Sequence, residues 1–405
     1  MDGTEPIAWD WAIADAGWTW TQRLFRPFGD LGQNLLLLDP VDWTNAYRQS
    51  RPIRRWLGGI EPDGPNTWRS SMALPTGWMK RFPKVGMKPI AGAIRRWRTD
   101  SPRPLALVAS YPHYLYLDEM IRPDHLIYYN MDDYALYWPG RADEVRRLED
   151  EIVRRARLSV VCAARRAEEL RDRVPEAADR ILHWPHGAPE SSIPDRPQHR
   201  PASPPADIAH LPRPLLGFVG SLENRLDWRL IGQLADAFPQ GSIVLIGRPP
   251  HNEATGEWMA DYRQAVARPN VHRLGWRTQD EIGRYNAAFD VCLIPYRVDH
   301  PFNRACCPTK IMDYMATTRP VVATDLPECR LYADLFDVAD SGGVFIEAAR
   351  RIVESGGDDG RAKARWLTAR ERTWTRAADG ILGRIQDVCR SDPSPESWLM
   401  PIEAT

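Results

Sequence analysis

The sequence predicts an α/β protein with two domains, each built around a parallel β-sheet. Short apolar runs typical of buried strands alternate with segments of helical spacing along most of the chain. The 405 residues exceed what one ordinary hydrophobic core holds. Nine prolines fall between residues 185 and 214, a density that neither a helix nor a central strand tolerates. We therefore expect two Rossmann-like domains whose parallel sheets face an interdomain cleft.

Composition changes along the chain predict the domain boundaries. We expect a first domain at residues 1–190, a proline-rich linker at 191–213 and a second domain at 214–365. Residues 366–405 are expected to form a carboxyl-terminal helix that packs back toward the first domain, followed by a tail.

Overall composition favours a globular protein of the cytoplasm. Hydrophobic residues make up 43% and charged residues 26%, with a net charge of −1. No apolar run approaches the ~20 residues that span a bilayer, and the chain does not begin like a signal peptide. The six cysteines form no CxxC pair, so we expect free thiols and neither zinc nor a disulfide framework.

The segment 290–328 carries the clearest functional pattern. It predicts a strand, a polar loop, a short helix opening at Pro308 and a second strand. Lys310 lies in the first helical turn and Asp313 follows on the same face. A cation beside free helix amides suits a diphosphate, and a carboxylate suits a ribose. The alternative is a solvated helical pair, although a helix after a parallel strand starts where α/β folds bind ligands.

Several familiar nucleotide and metal motifs are missing from the chain. GxGxxG and the GKS or GKT of a P-loop do not occur, which argues against ordinary NAD binding and P-loop chemistry. A DxD triplet that would hold a divalent ion is also missing. We expect no metal and no cofactor.

Four segments of the second half resemble the nucleotide-sugar domain of GT-B glycosyltransferases, close to the family 4-like group. They are GFVGSLENRLDWRLIGQLA, VLIG, NVHRLGWRTQDEIGRYNAAFDVCLIPY and CPTKIMDYMATTRPVVAT, in the order of the family, and cover most of residues 215–330. The first half is similar in a weaker way, at residues 17–40, 128–135 and 184–189. The resemblance implies a GT-B fold and a sugar transfer from a nucleotide-sugar.

The resemblance also implies a set of donor-binding residues in the second half. They are Gly220, Ser221, Arg225, Arg277, Tyr296, Arg304, Thr309, Lys310 and Asp313. Small residues after the first strand leave room for phosphate, and Arg225, Arg304 and Lys310 supply cations. Arg225 and Arg304 are equally consistent with surface arginines, and Tyr296 with a packing aromatic. Asp313 stands where the family has Glu, and the turn TTRP replaces its small-residue-plus-Gly turn.

Two residues of the first half are candidates for the base that takes the acceptor proton. Asp132 follows the apolar run 126–130 and matches the catalytic Asp of the similar xanthan-type exopolysaccharide glucuronosyltransferases. A carboxylate in a partly dry site gains basicity. The alternative is that Asp132 and Asp133 cap the following turn. His113 is the second candidate, as a base or a substrate contact, and a structural histidine in an aromatic loop is at least as consistent.

Residues 68–98 combine eight cations with interleaved aromatic residues and contain no acid. This composition suits the anionic inner surface of the plasma membrane, where a lipid-diphosphate-linked acceptor would lie. Nucleic acid is disfavoured because no nucleic-acid motif accompanies the stretch. A solvated surface segment is the plain alternative.

Together these observations predict a metal-independent glycosyltransferase of the hexosyltransferase class. It would use a UDP-sugar and a carbohydrate or lipid-linked acceptor in bacterial surface polysaccharide synthesis. We expect it in the cytoplasm, either free or peripherally bound to the inner face of the plasma membrane. Two alternatives stay open. One is a nucleotide-sugar epimerase of similar fold, which needs no acceptor. The other is a non-catalytic GT-B scaffold or binding protein.

Overall fold

The computed structural model describes residues 8–14, 19–44, 58–250 and 255–391. The chain divides into two compact units, residues 1–185 with 375–405, and residues 186–374. The predicted tail after residue 391 lies outside the described residues. Each unit contains one mainly parallel sheet, which is the predicted α/β architecture.

The first unit is built on an eight-stranded sheet of order β3-β4-β2-β1-β5-β6-β7-β8, in which only the edge strand β3 runs antiparallel. Its apolar strands are buried on both faces, as parallel strands covered by helices are. The strands are β1 (Asp10–Ala14), β2 (Asn34–Asp42), β3 (Glu61–Gly64), β4 (Thr67–Leu74), β5 (Leu105–Ala109), β6 (His125–Asn130), β7 (Leu158–Val161) and β8 (Ile181–His183). The helices are α1 (Thr19–Phe25), α2 (Pro27–Asp30), α3 (Trp78–Arg81), α4 (Pro83–Trp97), α5 (Leu115–Ile121), α6 (Ala142–Arg155) and α7 (Ala164–Arg173).

The second unit is built on a six-stranded parallel sheet of order β11-β10-β9-β12-β13-β14. Its strands are β9 (Leu215–Val219), β10 (Ser242–Ile246), β11 (Val271–Gly275), β12 (Val291–Ile294), β13 (Val321–Thr324) and β14 (Asp337–Ala339). Its helices are α8 (Trp228–Ala237), α9 (Trp258–Val266), α10 (Gln279–Ala288), α11 (Pro301–Ala305), α12 (Lys310–Ala316), α13 (Pro327–Arg330), α14 (Gly342–Glu354) and α15 (Ala362–Glu371). The last helix, α16, spans Trp374–Ser391.

The proline-rich segment 191–213 differs from the predicted interdomain linker, because it contacts the second unit. The amide of Ala202 donates to the carbonyl of Ala287 at 2.7 Å, and the amide of Gln198 donates to the hydroxyl of Thr318 at 3.1 Å. These contacts tie the segment to the second unit, whose boundary falls between Pro185 and His186. Proline content showed that the segment is neither helix nor strand, but it could not show what the segment packs against.

The carboxyl-terminal boundary also differs from the predicted one. Helix α15 belongs to the second unit, where the indole of Trp366 donates to the carbonyl of Pro194 at 2.8 Å. The change of unit occurs between Trp374 and Thr375, at the start of α16. A continuous helical pattern in the sequence gave no signal for the short break between these two helices.

The turn after α12 is built differently from a glycine turn. Thr318 has a left-handed backbone with φ of 61°, and its carbonyl accepts two hydrogen bonds from the buried guanidinium of Arg365, at 3.0 and 3.1 Å. Arg365 also pairs with Asp359 at 2.7 Å. The side chains around the turn therefore stabilise a conformation that disfavours β-branched residues.

Candidate donor site and candidate base

The carboxyl ends of β9 and β12 meet at Lys310. Its ammonium nitrogen lies 5.1 Å from the ring centroid of Phe218 in β9 and 5.3 Å from that of Tyr296, just after β12. Aromatic faces attract a cation without neutralising it. Within the described part of the chain, no carboxylate lies within 4.0 Å of Lys310. The ammonium group therefore lies between two aromatic rings at the edge of the sheet.

Gly220 leaves the space that Lys310 occupies. A Cβ at this position would lie 2.7 Å from both Cε and Nζ of Lys310, and the glycine has a φ of 153°. Any side chain here would displace the ammonium group. The sequence predicts a small residue here so that phosphate can approach closely. In the structure, the absence of a side chain at Gly220 makes room for the side chain of Lys310.

Helix α12 is fixed to the end of β9 by Tyr314. This buried phenol accepts a hydrogen bond from the amide of Val219 at 3.1 Å. Burial raises its pKa well above the usual range, so the phenol stays neutral. The contact sets the distance between the strand end and the first turn of the helix, where Lys310 lies.

The start of α12 differs from the predicted one. The helix begins at Lys310 rather than Pro308 and has seven residues. The amide of Ile311 donates to the carbonyl of Pro308, and that of Asp313 to the carbonyl of Thr309, both at 3.1 Å. These two amides are already satisfied, so the lysine side chain, more than the helix end, supplies positive charge to the site.

A second cation shares the ring of Tyr296. The guanidinium carbon of Arg225 lies 5.4 Å from the centroid of this ring, and Nε of Arg225 donates to Oδ1 of Asn303 at 2.8 Å. Its terminal nitrogen donates to the sulfur of Cys306 at 3.1 Å. Phosphate recognition uses such held guanidinium groups. Arg225 is thus placed by several contacts, unlike an ordinary surface arginine.

The other predicted donor residues differ in their exposure and in their partners. Arg304 is exposed on α11, and Ser221 is exposed after β9, while Thr309 is half-buried before α12. Asp313 is buried on α12. Arg277 is occupied elsewhere, since it pairs with Asp207 at 2.7 Å and donates to the hydroxyl of Tyr285 at 2.9 Å. The guanidinium of Arg277 therefore holds the loop after β11 in place.

Asp132 and Asp133 have different roles at the end of β6. Oδ1 of Asp133 accepts a hydrogen bond from the amide of Ala135 at 3.2 Å and caps the short 3₁₀ turn Tyr134–Tyr137. The carboxylate of Asp132 instead accepts a hydrogen bond from the hydroxyl of Tyr137 at 2.9 Å. The capping alternative that the sequence leaves open applies to Asp133, and Asp132 is half-buried at the strand end.

A buried polar cluster supports the backbone of Asp132. The side-chain amide of Asn130, the last residue of β6, donates to the carbonyl of Asp132 at 3.1 Å and to Glu149 at 2.9 Å. Glu149 in turn accepts hydrogen bonds from Arg166 at 2.8 Å and Arg173 at 2.9 Å. The cluster ties helices α6 and α7 to the segment that carries Asp132.

His113 is a poor candidate for a base. Its ring is buried and stacked on Trp138, with centroids 4.7 Å apart. Desolvation by burial lowers the pKa of His113 to about 4. The environment favours the structural alternative for this histidine.

Comparison with known proteins finds one matching family model and one related curated sequence. Residues 213–355 match the family model described as "Glycosyl transferases group 1". The protein named as teichuronic acid biosynthesis glycosyltransferase TuaH, from Bacillus subtilis, is 27% identical over 164 residues. The aligned region is 40% of this chain and 40% of the length of TuaH.

Solved structures show the same fold over nearly the whole chain. Sucrose-phosphate synthase from Thermosynechococcus elongatus is 14% identical with a TM-score of 0.72, covering 95% of this chain and 100% of that one. HepE of Anabaena in complex with UDP-glucose is 16% identical with a TM-score of 0.60, covering 95% and 99%.

These findings confirm the predicted fold class: the chain has the GT-B fold. The region that matches the group 1 glycosyl transferase model, residues 213–355, includes Gly220, Tyr296, Lys310 and the strands that place them. The sequence missed three residues that build this site, Phe218, Asn303 and Tyr314. Phe218 and Tyr314 follow ordinary core periodicity, and only the folded structure brings them to the lysine.

Proposed function

We propose that the protein is a glycosyltransferase that takes its sugar from a UDP-sugar. The observation that carries the proposal is the ammonium of Lys310, held between two aromatic rings beside Gly220 at the carboxyl ends of β9 and β12. Open α/β sheets bind nucleotides at this edge. The group 1 family match and the glycosyltransferase name of TuaH support the transferase class. Neighbours of the same fold bind UDP-glucose and UDP.

The chemistry follows from where charge develops during the transfer. The bond between the sugar and the diphosphate breaks, and negative charge builds up on the leaving UDP. Lys310 and Arg225 stabilise that charge, a task that needs no metal ion when two cations are held in place. The described residues contain no cluster of three or more acids, histidines or cysteines arranged to hold a metal ion.

Asp132 is the proposed base for an inverting transfer. Its carboxylate takes the proton of the acceptor hydroxyl while the hydroxyl oxygen forms the new bond to the sugar. The hydrogen bond from Tyr137 orients this carboxylate. We propose a carbohydrate or lipid-linked acceptor of bacterial surface polysaccharide synthesis.

Nucleotide binding tests the donor assignment most directly. We expect UDP to raise the Tm of the wild type and to bind more tightly than GDP, ADP or TDP. Lys310→Ala should remove most of the shift, and the exposed Lys363→Ala should retain it as a matched control. Product formation from a UDP-sugar without an acceptor would favour an epimerase. The absence of any nucleotide shift in the wild type would contradict the transferase and favour a scaffold.

We also propose that helices α3 and α4 dock on an anionic membrane surface. Phe82 and Val85 expose 39% and 58% of their surface there. The cations around them, which are all exposed, are Lys80, Arg81, Lys84 and Lys88. Among the described residues no helix is long and apolar enough to cross a bilayer.

The remaining cations of the stretch 68–98 are less available for a membrane. Arg69 pairs with Asp63 at 2.9 Å, and Arg98 pairs with Asp10 at 3.1 Å. Arg95 donates to the carbonyl of Met120 at 2.6 Å, and Arg96 donates to the carbonyl of Gly58 at 3.0 Å. The docking surface therefore contains four of the eight cations in the stretch.

Vesicle sedimentation tests the proposed docking surface. Vesicles of phosphatidylcholine with phosphatidylglycerol should bind the wild type more strongly than phosphatidylcholine alone, and less strongly as salt rises. The combined substitution Arg81→Glu and Lys88→Glu should abolish the difference. Lys363→Glu is the control for a single exposed cation elsewhere. Equal binding of the wild type to both vesicles would exclude this role for the surface.

A further inference from the structure

The side chain of Asn303 forms hydrogen bonds with both the backbone and the side chain of Arg225. The asparagine lies in α11 and is fully buried. Its Oδ1 accepts the hydrogen bond from Nε of Arg225 at 2.8 Å, and its Nδ2 donates to the carbonyl of Arg225 at 2.8 Å. The same Nδ2 donates to the carbonyl of Arg297 at 2.9 Å. One side chain thus joins the loop after β9 to the loop after β12.

The arrangement requires an amide. The oxygen faces a guanidinium donor, and both amide hydrogens face carbonyl oxygens, so a flipped amide would place like groups together. A carboxylate would lose both donated bonds and pair with the cation. An alanine would remove this partner from the two part-buried carbonyls and from the Nε of Arg225.

We propose that Asn303 is a positioning residue that holds Arg225 ready for the diphosphate of the donor. A guanidinium that is ordered before binding loses less side-chain freedom when the ligand arrives. Tyr296 supports the same placement, since its ring lies beside both Arg225 and Lys310. The inference rests on the proposed donor site and adds that Asn303 favours nucleoside diphosphates over monophosphates.

Calorimetric titration with UDP and UMP tests the proposal. Asn303→Ala should weaken UDP binding about tenfold and leave UMP binding within about twofold, because only the outer phosphate loses its held cation. Arg225→Ala should weaken UDP binding at least as much. Adding Asn303→Ala to Arg225→Ala should cost little more, since the two residues act as one unit. Independent, multiplicative losses would overturn the proposal.

Two further variants separate positioning from folding. Asn303→Asp is nearly isosteric and should also weaken UDP binding, because its carboxylate offsets the charge of Arg225. Asn286→Ala removes another buried asparagine of the second unit, on α10, and should leave the ratio of UDP to UMP affinity unchanged. An unchanged ratio in every Asn303 variant that folds would refute the inference, so Asn303→Asp alone decides it if Asn303→Ala does not fold.

Failure of the inference and failure of the proposed function have different signatures. If the wild type does not bind UDP, the donor site itself is wrong. If the wild type binds UDP and Lys310→Ala loses binding, but Asn303→Ala and Asn303→Asp keep the UDP to UMP ratio, the donor site stands and only the role of Asn303 is refuted.

Discussion

A Cβ added to Gly247 would lie 1.8 Å from the carbonyl oxygen of Gly220. The amide of Gly220 donates to the carbonyl of Ile246 at 2.8 Å, and the amide of Gly247 donates to that of Gly275 at 2.9 Å. The ends of β9, β10 and β11 are therefore joined backbone to backbone beside Lys310. This close approach of the strand ends in the proposed donor site is possible because Gly220 and Gly247 have no side chain.

Gly247→Ala should be strongly destabilising, because the added carbon meets backbone that cannot rotate away. We expect a loss of about 2–4 kcal/mol in the free energy of unfolding, measured by urea denaturation. Gly343→Ala is the control, since nothing lies within 4 Å of a Cβ there. Similar stability of the two variants would mean that the close approach at Gly247 relaxes at little cost.

Substitutions of Tyr296 should separate the contribution of its ring to UDP binding from the contribution of its hydroxyl. Tyr296→Phe keeps an aromatic face for Lys310 and Arg225, so the Kd for UDP should stay within about threefold. Tyr296→Leu removes the face and should raise that Kd about tenfold. Equal Kd values for the two variants, measured by calorimetry, would mean that the shared ring does not place the cations.

Substitutions of Asp132 and Tyr137 should lower the turnover rate without changing the Kd for UDP. Asp132→Asn should lower kcat by about 10²–10⁴-fold, the range of a lost general base. Tyr137→Phe removes the hydrogen bond to Asp132 and keeps the aromatic ring, and we expect a loss of about tenfold in kcat. The rate at which UDP is released from a UDP-sugar during the reaction gives kcat for both variants. Full activity of Asp132→Asn would exclude Asp132 as the base.

His113 should make the protein more sensitive to acid. Desolvation by burial lowers its pKa from 6.5 to about 4, with a smaller upward effect of Glu144 and a downward effect of Arg141. The unfolded chain therefore binds more protons between these values, and stability falls as pH drops from 6.5 toward 4. His113→Phe should flatten this dependence by on the order of 3 kcal/mol. Parallel pH curves of Tm for wild type and variant would contradict this.

The second domain was predicted well from sequence because its strands are short, apolar and regularly spaced. Of the pattern predicted for residues 290–328, the structure contains both strands, as β12 and β13, and the helix α12 that precedes the second strand. Lys310 was identified from its place after an apolar strand, and the structure brings Gly220, Arg225 and Tyr296 to its surroundings. Parallel strands bring their carboxyl ends to one edge, so position along each strand carries spatial information.

Side-chain partnerships were not predictable from the same patterns. Nothing in the sequence distinguishes Arg225, which Asn303 holds, from Arg277, which Asp207 and Tyr285 hold. Both arginines follow strands in polar loops. The difference arises from residues 78 and 70 positions away along the chain, and local spacing does not encode such contacts.

Thr318 shows how a turn can dispense with glycine. Its left-handed backbone is held by Arg365 from α15, and its hydroxyl donates to the carbonyl of Gln198 at 3.0 Å. The turn therefore needs no glycine, because a salt-bridged arginine 47 residues further along the chain stabilises the left-handed conformation of Thr318. A search pattern that requires glycine at this turn would pass over this chain, in which the salt-bridged pair of Asp359 and Arg365 supports a left-handed threonine.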